Sequence, residues 1–521
     1  MTRDVTDRFL LSLVPDSMDA LRFARWHGWL PDLDRLEADV TSLLQDDCEK
    51  PRRLAGGAPW ADLLAARLDP AARATLQRRY GDALRVEPDI TFSHQAGPMG
   101  ARRLAGRTES VAPEGAAADG SLLHFRITDD DGLPLAGVGL HAEGAGLGAG
   151  LWAVTDDHGL ARLALASENP AAVRCLTLLP PTRYWGRRLM RPVLRQTPPG
   201  APARVNTLAL RSLDTPFGTL PEWGIEAMGL DRAPHLTVPG TRKVRVAVLD
   251  PGAAPPPFVV APIDSGALVE DWSPAGAPPS PAASLIDAAA PGVCLRILRM
   301  GATPGASDLI AAIDWCLAVG IDLLDLGFAA ASPAPALART LARARARGLV
   351  VIAPGGDSGG PVHWPAAEPG VLAVGALASR AACPPDAPGA TRSTCAPAAF
   401  SACDSSLDVV APGAALVLPT ADGPAALDGT ALASALVTGF LARLLQTQPE
   451  LATLPVGRRR AEALCAALRA RCHALALPEI PGGAGLPLWD ALLAADDPTG
   501  DAPIATDAPQ RDRVTGAGLP A

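Results

Sequence analysis

The spacing of apolar positions changes twice along the chain. Residues 9–14, Phe-Leu-Leu-Ser-Leu-Val, read as a strand, residues 18–29 carry apolar side chains at helical spacing, and Asp69-Pro70 opens a helix over 70–80. Residues 83–92 alternate like a strand, so a small α/β unit is predicted over 1–96. A Gly/Ala/Pro/Arg-rich linker without periodicity follows over 97–118. Between 119 and 213 short alternating stretches, 122–128 and 136–142, are separated by turn residues such as those at 129–132 and 155–159, which predicts a small antiparallel β-sandwich. A second linker is expected over 214–242. From 243 to 497 the apolar runs 244–249, 292–298, 321–326, 349–352 and 371–374 are continuous, with helical segments between several of them. Runs of that kind are buried on both sides, so this block predicts an α/β fold with a doubly wound parallel sheet. Residues 498–521 are polar and proline-containing and read as a disordered tail.

Composition narrows this picture. A chain of 521 residues with 48% apolar side chains has room for three or four cores and is not disordered throughout. Its 53 prolines and 50 glycines imply long irregular connections rather than a helical bundle. The net charge of −9 carries no basic footprint for nucleic acid, and the near absence of lysine, confined to Lys50 and Lys243, is a compositional bias without chemical meaning. The run 9–14 is too short for a signal core, and 431–445 is interrupted by Arg443 and falls short of the ~20 residues of a membrane span. A cytoplasmic protein that does not enter a membrane is expected. Nine scattered cysteines without a Cys-x-x-Cys pair read as reduced thiols. Cys383, Cys395 and Cys403 are close enough for a loop disulfide or a metal clip, but no histidine accompanies them. His124, His141 and His158 read as surface or turn residues, and neither metal nor other cofactor is expected.

Chemistry is expected at Asp250, which ends the apolar strand 244–249, because open α/β sheets build their sites at the carboxyl edges of strands. Val246-Ala-Val-Leu-Asp250-Pro-Gly is one of seven segments that, in chain order, resemble the subtilisin-like serine peptidases. The others are 290–298, 312–325, 350–355, 364–375, 407–413 and Gly429-Thr-Ala-Leu-Ala-Ser-Ala-Leu-Val-Thr-Gly439. More weakly, Thr128-Asp-x-x-Gly-x-Pro134 and Thr155-Asp-x-x-Gly159 resemble transthyretin-like or carboxypeptidase-regulatory-like modules, and 84–92 looks like the end of a subtilisin propeptide.

The peptidase resemblance implies a serine nucleophile, a histidine base, an aspartate that orients it and an asparagine that stabilises the oxyanion. Carried over position by position, only Asp250 remains. The nucleophile position is Ala431, the oxyanion position is Gly356 with Asp357 next to it, and the stretch 279–283 that should hold the histidine has none. Ser434 is expected to be a buried helix hydroxyl bonded to the backbone. Asp287 lies where related serine-carboxyl peptidases place a glutamate, and His363 reads as a packing or surface residue. The resemblance further implies that a polypeptide pairs as an extra strand with Gly327, Phe328 and Ala329 and with Ala353, Pro354 and Gly355. Phe328 either lines the first pocket or belongs to the core.

The expectation is therefore a subtilisin-fold pseudopeptidase that binds a polypeptide or protein partner, with the N-terminal unit packed on the large domain. Two alternatives stand beside it: a serine endopeptidase with displaced catalytic residues, and a purely structural subunit.

Overall fold

The computed structural model describes residues 7–13, 33–44, 50–54, 63–99, 121–147, 150–165, 169–197, 202–213, 223–234, 238–251, 280–388, 390–391, 393, 395–475 and 483–489. The helix expected over 18–29, the tail 498–521 and most of the linker 97–118 lie outside them.

Four antiparallel strands, β1 (Asp7–Leu13), β2 (Arg52–Leu54), β3 (Leu63–Leu68) and β4 (Leu84–Pro88), form a sheet in the order β2-β3-β1-β4. Two helices, α1 (Leu33–Leu43) and α2 (Pro70–Tyr80), complete the unit; Asp69 caps α2 by accepting the Ala72 N–H at 2.6 Å. The twofold alternation of the strands separates two apolar sets. Phe9, Leu11, Leu64, Ala66 and Leu68 pack with Leu36, Val40 and Leu76 of the helices, whereas Leu10, Leu54, Leu63 and Ala65 join the core of the large domain. A run as apolar as 9–13 is thus explained by burial on both faces.

Residues 93–98, which follow this unit, do not begin a linker. They form β5 (Ser93–His94) and β6 (Gly97–Pro98), which pair with strands of the large domain.

Seven further strands, β7 (Ser121–Thr128), β8 (Gly139–Gly144), β9 (Leu151–Val154), β10 (Leu160–Leu165), β11 (Val173–Leu179), β12 (Arg187–Met190) and β13 (Val205–Ala209), make two sheets, β10-β7-β13 and β12-β11-β8-β9. Both sheets contribute to one core containing Leu123, Phe125, Ile127, Leu140, Leu163, Leu176 and Leu178. The arrangement differs from the sequence expectation in two respects. β13 runs parallel to β7, so the sheets are not wholly antiparallel. His141 is 1% exposed and packs against Trp152, because its position on β8 points inward; it is not a surface residue.

The segment expected as a linker over 214–242 is, in its described part, anchored to the large domain. Helix α3 (Trp223–Ala227) and the following turn send Ile225, Met228 and Leu230 into the large core, and the Trp223 indole donates to Ala414 O at 3.1 Å.

The large domain is built on β14 (Arg245–Pro251), α4 (Pro281–Ala289), β15 (Cys294–Met300), α5 (Ala306–Val319), β16 (Leu323–Asp325), β17 (Phe328–Ala329), α6 (Pro335–Ala346), β18 (Val350–Pro354), β19 (Leu372–Ala378), β20 (Ala396–Pro397), β21 (Val409–Pro412), β22 (Leu416–Thr420), β23 (Gly423–Asp428) and α7 (Thr430–Thr447). The sheet order is β15-β14-β16-β18-β19-β20, with β21 also on β19. All pairs are parallel except β19 with β20. Helix α4 packs on α7 and α5 on α6. Every residue of α7 except Thr447 is buried. The helix is long and apolar enough to cross a membrane by length and composition, and here its hydropathy is explained by its place in the core.

Candidate functional site

The carboxyl edge of the sheet gathers the residues singled out by the sequence. Asp250 lies at the end of β14, 2% exposed, and the parallel register sets it beside Arg299 of β15, which donates to its carboxylate. Its second partner is the Ser280 hydroxyl. Ser280 is the N-cap of α4, accepting the Ala283 N–H at 3.1 Å, and falls in the stretch where the family histidine was expected. Burial pushes Asp250 up to about 6, against the opposing pull of Arg299 and Ser280. A guanidinium and a hydroxyl thus occupy the aspartate, and neither is a base at neutral pH.

Ala431 is fully buried in the first turn of α7. Thr430 starts this helix, and its N–H (2.8 Å) and hydroxyl (2.7 Å) both donate to Asp357, whose carboxylate caps the helix from a different loop. The carboxylate next to the oxyanion position is therefore committed to a helix N-terminus. At Gly356 the backbone has φ +113°, and an added Cβ would come within 2.8 Å of the His363 ring, so a side chain there is excluded by both conformation and space. His363 itself is bonded through Nε2 to Ser358 Oγ at 3.1 Å, and burial lowers its pKa. Asp287 is half-buried on α4 and its pKa is raised by that burial.

The largest departure from the sequence expectation lies in the groove. β5 pairs antiparallel with β17, setting His94 opposite Phe328 and Ser93 opposite Ala329, and the Gln95 N–H donates to Gly327 O at 3.0 Å. The Gln95 carbonyl accepts the N–H of Ala431 at 2.9 Å. Beyond it, β6 pairs with β23, setting Gly97 opposite Asp428 and Pro98 opposite Leu427, and Met99 N–H donates to Ala426 O at 2.9 Å. Residues 93–98 thus run past the nucleophile position, held by backbone bonds on both sides of it. Phe328 is fully buried, with the His94 ring edge-on at 5.3 Å, so it serves as core and as a surface for the strand.

Ala353, Pro354 and Gly355 do not join this ladder. Ala353 and Pro354 pair with Ala373 and Val374, the Gly355 N–H donates to Val374 O, and the Gly355 carbonyl accepts from His363 N. On that side the strand is met instead by Asp357, whose N–H donates to Gln95 Oε1 at 3.0 Å.

Below the groove lies a buried pair that sequence reasoning missed. Ser434 Oγ is 2.7 Å from Asp325 Oδ1 and 2.9 Å from Ala431 O. A hydroxyl carries one proton, so both contacts are hydrogen bonds only when Asp325 is itself protonated. Burial pushes Asp325 up to about 7; the Ser434 bond opposes this, the Asp250 charge adds to it and the Gly327 N–H opposes it. With the folded pKa above the ordinary value, the folded chain holds an extra proton between about pH 4 and 7. Stability must fall as pH rises through that window and stay low above it. Asp325→Asn, which mimics the neutral acid, is expected to flatten this slope and to gain on the order of 2 kcal/mol over the parent at alkaline pH. Urea midpoints measured across the pH range check this; an unchanged slope would show that Asp325 is not the titrating group.

Residues 275–462 match the family model described as the subtilase family. Subtilisin DY of Bacillus licheniformis is 28% identical over 171 residues, which is 32% of this chain and 57% of that protein. M-protease of Shouchella clausii is 29% identical over 158 residues, 30% of this chain and 38% of that protein. Subtilisin E of Bacillus subtilis is 27% identical over 161 residues, 30% and 39% respectively. The chain spans about half the length of the curated relatives it matches. The matched stretch includes Ser280, Asp325, Gly356 and Ala431 and begins after Asp250. The similarity to the subtilase family is carried by residues 275–462, which hold most of the parallel sheet and the buried helix α7.

Proposed function

We propose that the chain is a subtilisin-fold pseudopeptidase, a domain that holds an extended polypeptide in its groove without hydrolysing it. One observation carries this reading: the Gln95 carbonyl sits on the Ala431 N–H, with a peptide bond presented to a residue whose side chain is a methyl group. Peptide hydrolysis needs a nucleophile and a base that takes its proton. Asp250 is engaged by Arg299 and Ser280, His363 by Ser358, and Ser434 is fully buried against Asp325. Backbone pairing at Gly327, Phe328 and Ala329 needs none of these groups, so binding survives where catalysis does not.

Residues 7–98 then act as a propeptide-like unit that stays in place, with residues 93–98 as its resident ligand. This occupancy also supports the structural-subunit reading, in which the groove is permanently filled. Among the described residues Ser434, His363 and Asp287 do not form a displaced nucleophile and base, since Ser434 is bonded to Asp325 and His363 to Ser358.

The test is Ala431→Ser. Restoring the hydroxyl is expected to leave casein hydrolysis and fluorophosphonate labelling at background, because members of a catalytic unit are not additive and no histidine stands beside Asp250 among the described residues. Labelling of the parent chain, or its turnover of an unstructured substrate, would overturn the reading, while activity gained only by Ala431→Ser would show that a base is in place and direct attention to His363.

A further inference from the structure

We propose that the groove reads a glutamine amide, so that its ligands are extended segments of the form Ser-x-Gln. The inference rests on the reading of the groove as a polypeptide-binding site and adds what that site selects. Gln95 is 3% exposed, and its side-chain amide is matched on both sides. Oε1 accepts the Asp357 N–H at 3.0 Å, while Nε2 lies 2.8 Å from Ser93 O and 2.9 Å from Ser93 Oγ. The Ser93 hydroxyl in turn contacts Ala329 O at 3.4 Å, linking the amide back to β17.

This set of partners discriminates by hydrogen-bond type. A glutamate can accept from Asp357 N–H but cannot donate to Ser93 O, and it brings a buried negative charge beside the carboxylate of Asp357. A leucine or methionine fills the volume and takes away the acceptor that Gln95 offers the Asp357 N–H. Sites built around a buried hydrogen bond reject the analogue that lacks it more strongly than apolar pockets reject a change in size. At the next position the two chains run backbone to backbone, since a Cβ on Gly429 would lie 2.5 Å from Ala96 Cα.

The experiment uses the full chain carrying Gln95→Ala, which removes the amide from the resident strand, and fluorescent hexapeptides. One has the sequence Ser-His-Gln-Ala-Gly-Pro, and two analogues carry glutamate or leucine in place of glutamine. Hydrogen exchange at residues 93–98 reports whether the resident strand has left, and circular dichroism reports the fold. The expected result is faster exchange in the variant and binding of the glutamine peptide at least about tenfold tighter than either analogue. Equal binding of the three peptides would overturn the amide selectivity and leave groove binding intact. Unchanged exchange in Gln95→Ala would also overturn the selectivity, since the amide would then contribute nothing to holding the strand. A vacated groove that binds none of the peptides would sink the polypeptide-binding reading itself.

Discussion

Gly429→Ala is expected to drive residues 93–98 out of the groove. A Cβ at this position would stand 2.1 Å from Gln95 O and 2.5 Å from Ala96 Cα, far inside van der Waals contact. Both atoms belong to backbone, so no side chain can swing aside to relieve the clash. The strand is held by short-range pairing to β17 and β23, whereas Gly429 is fixed between β23 and the buried helix α7 and donates to Gly413 O at 2.8 Å. The mobile partner is the one that gives way. Overpacking of this kind costs about 1–3 kcal/mol, so exchange of the Gln95 and Met99 amides should accelerate by roughly 10–100-fold. Protection equal to the parent would mean that the strand is not seated as described.

Asp357→Ala carries the second large effect. Its carboxylate accepts two bonds from Thr430 at the start of α7, the helix around which the large core is packed, and no side chain of Thr430 itself can cap its own N–H in this way. Losing a cap costs about 1 kcal/mol, and a buried hydrogen bond to a charged group about 1.5–3 kcal/mol, so a loss of roughly 2–4 kcal/mol is expected in urea unfolding. Asp357→Asn, which keeps one acceptor, should lose less than half of that. A change below about 0.5 kcal/mol in Asp357→Ala would show that α7 needs no cap from this loop.

Much of the large domain was legible because its signals are local. Continuous apolar runs gave the parallel strands, and Gly429-Thr430-Ala431 leads into a helix, which the structure starts at Thr430. Asp250 at the end of an apolar strand was likewise visible. Its partners were not: Arg299 is one arginine among many until the parallel register of β14 and β15 sets it beside Asp250. Ser280 lies in the stretch 279–283, which the sequence marks only by its lack of a histidine, and its role comes from tertiary contact. Asp325 offered a signal that went unused, a carboxylate inside the apolar run 321–326. The groove strand had no periodic signature at all, since residues 93–98 are polar or small and their burial comes from the large domain rather than from their own pattern. That is why a linker was expected to begin at 97, four residues into a segment that the structure holds in the groove.

The central claim is that a peptide bond rests at the nucleophile position and is not cut. The most direct measurement is the intact mass of the purified full-length chain after prolonged incubation at neutral pH. The account predicts one uncut species, because the Gln95–Ala96 bond follows the carbonyl held by Ala431 and no side chain placed among the described residues is a nucleophile at that bond. A pair of products divided between Gln95 and Ala96, formed without added protease and abolished by no inhibitor of a contaminating enzyme, would contradict it.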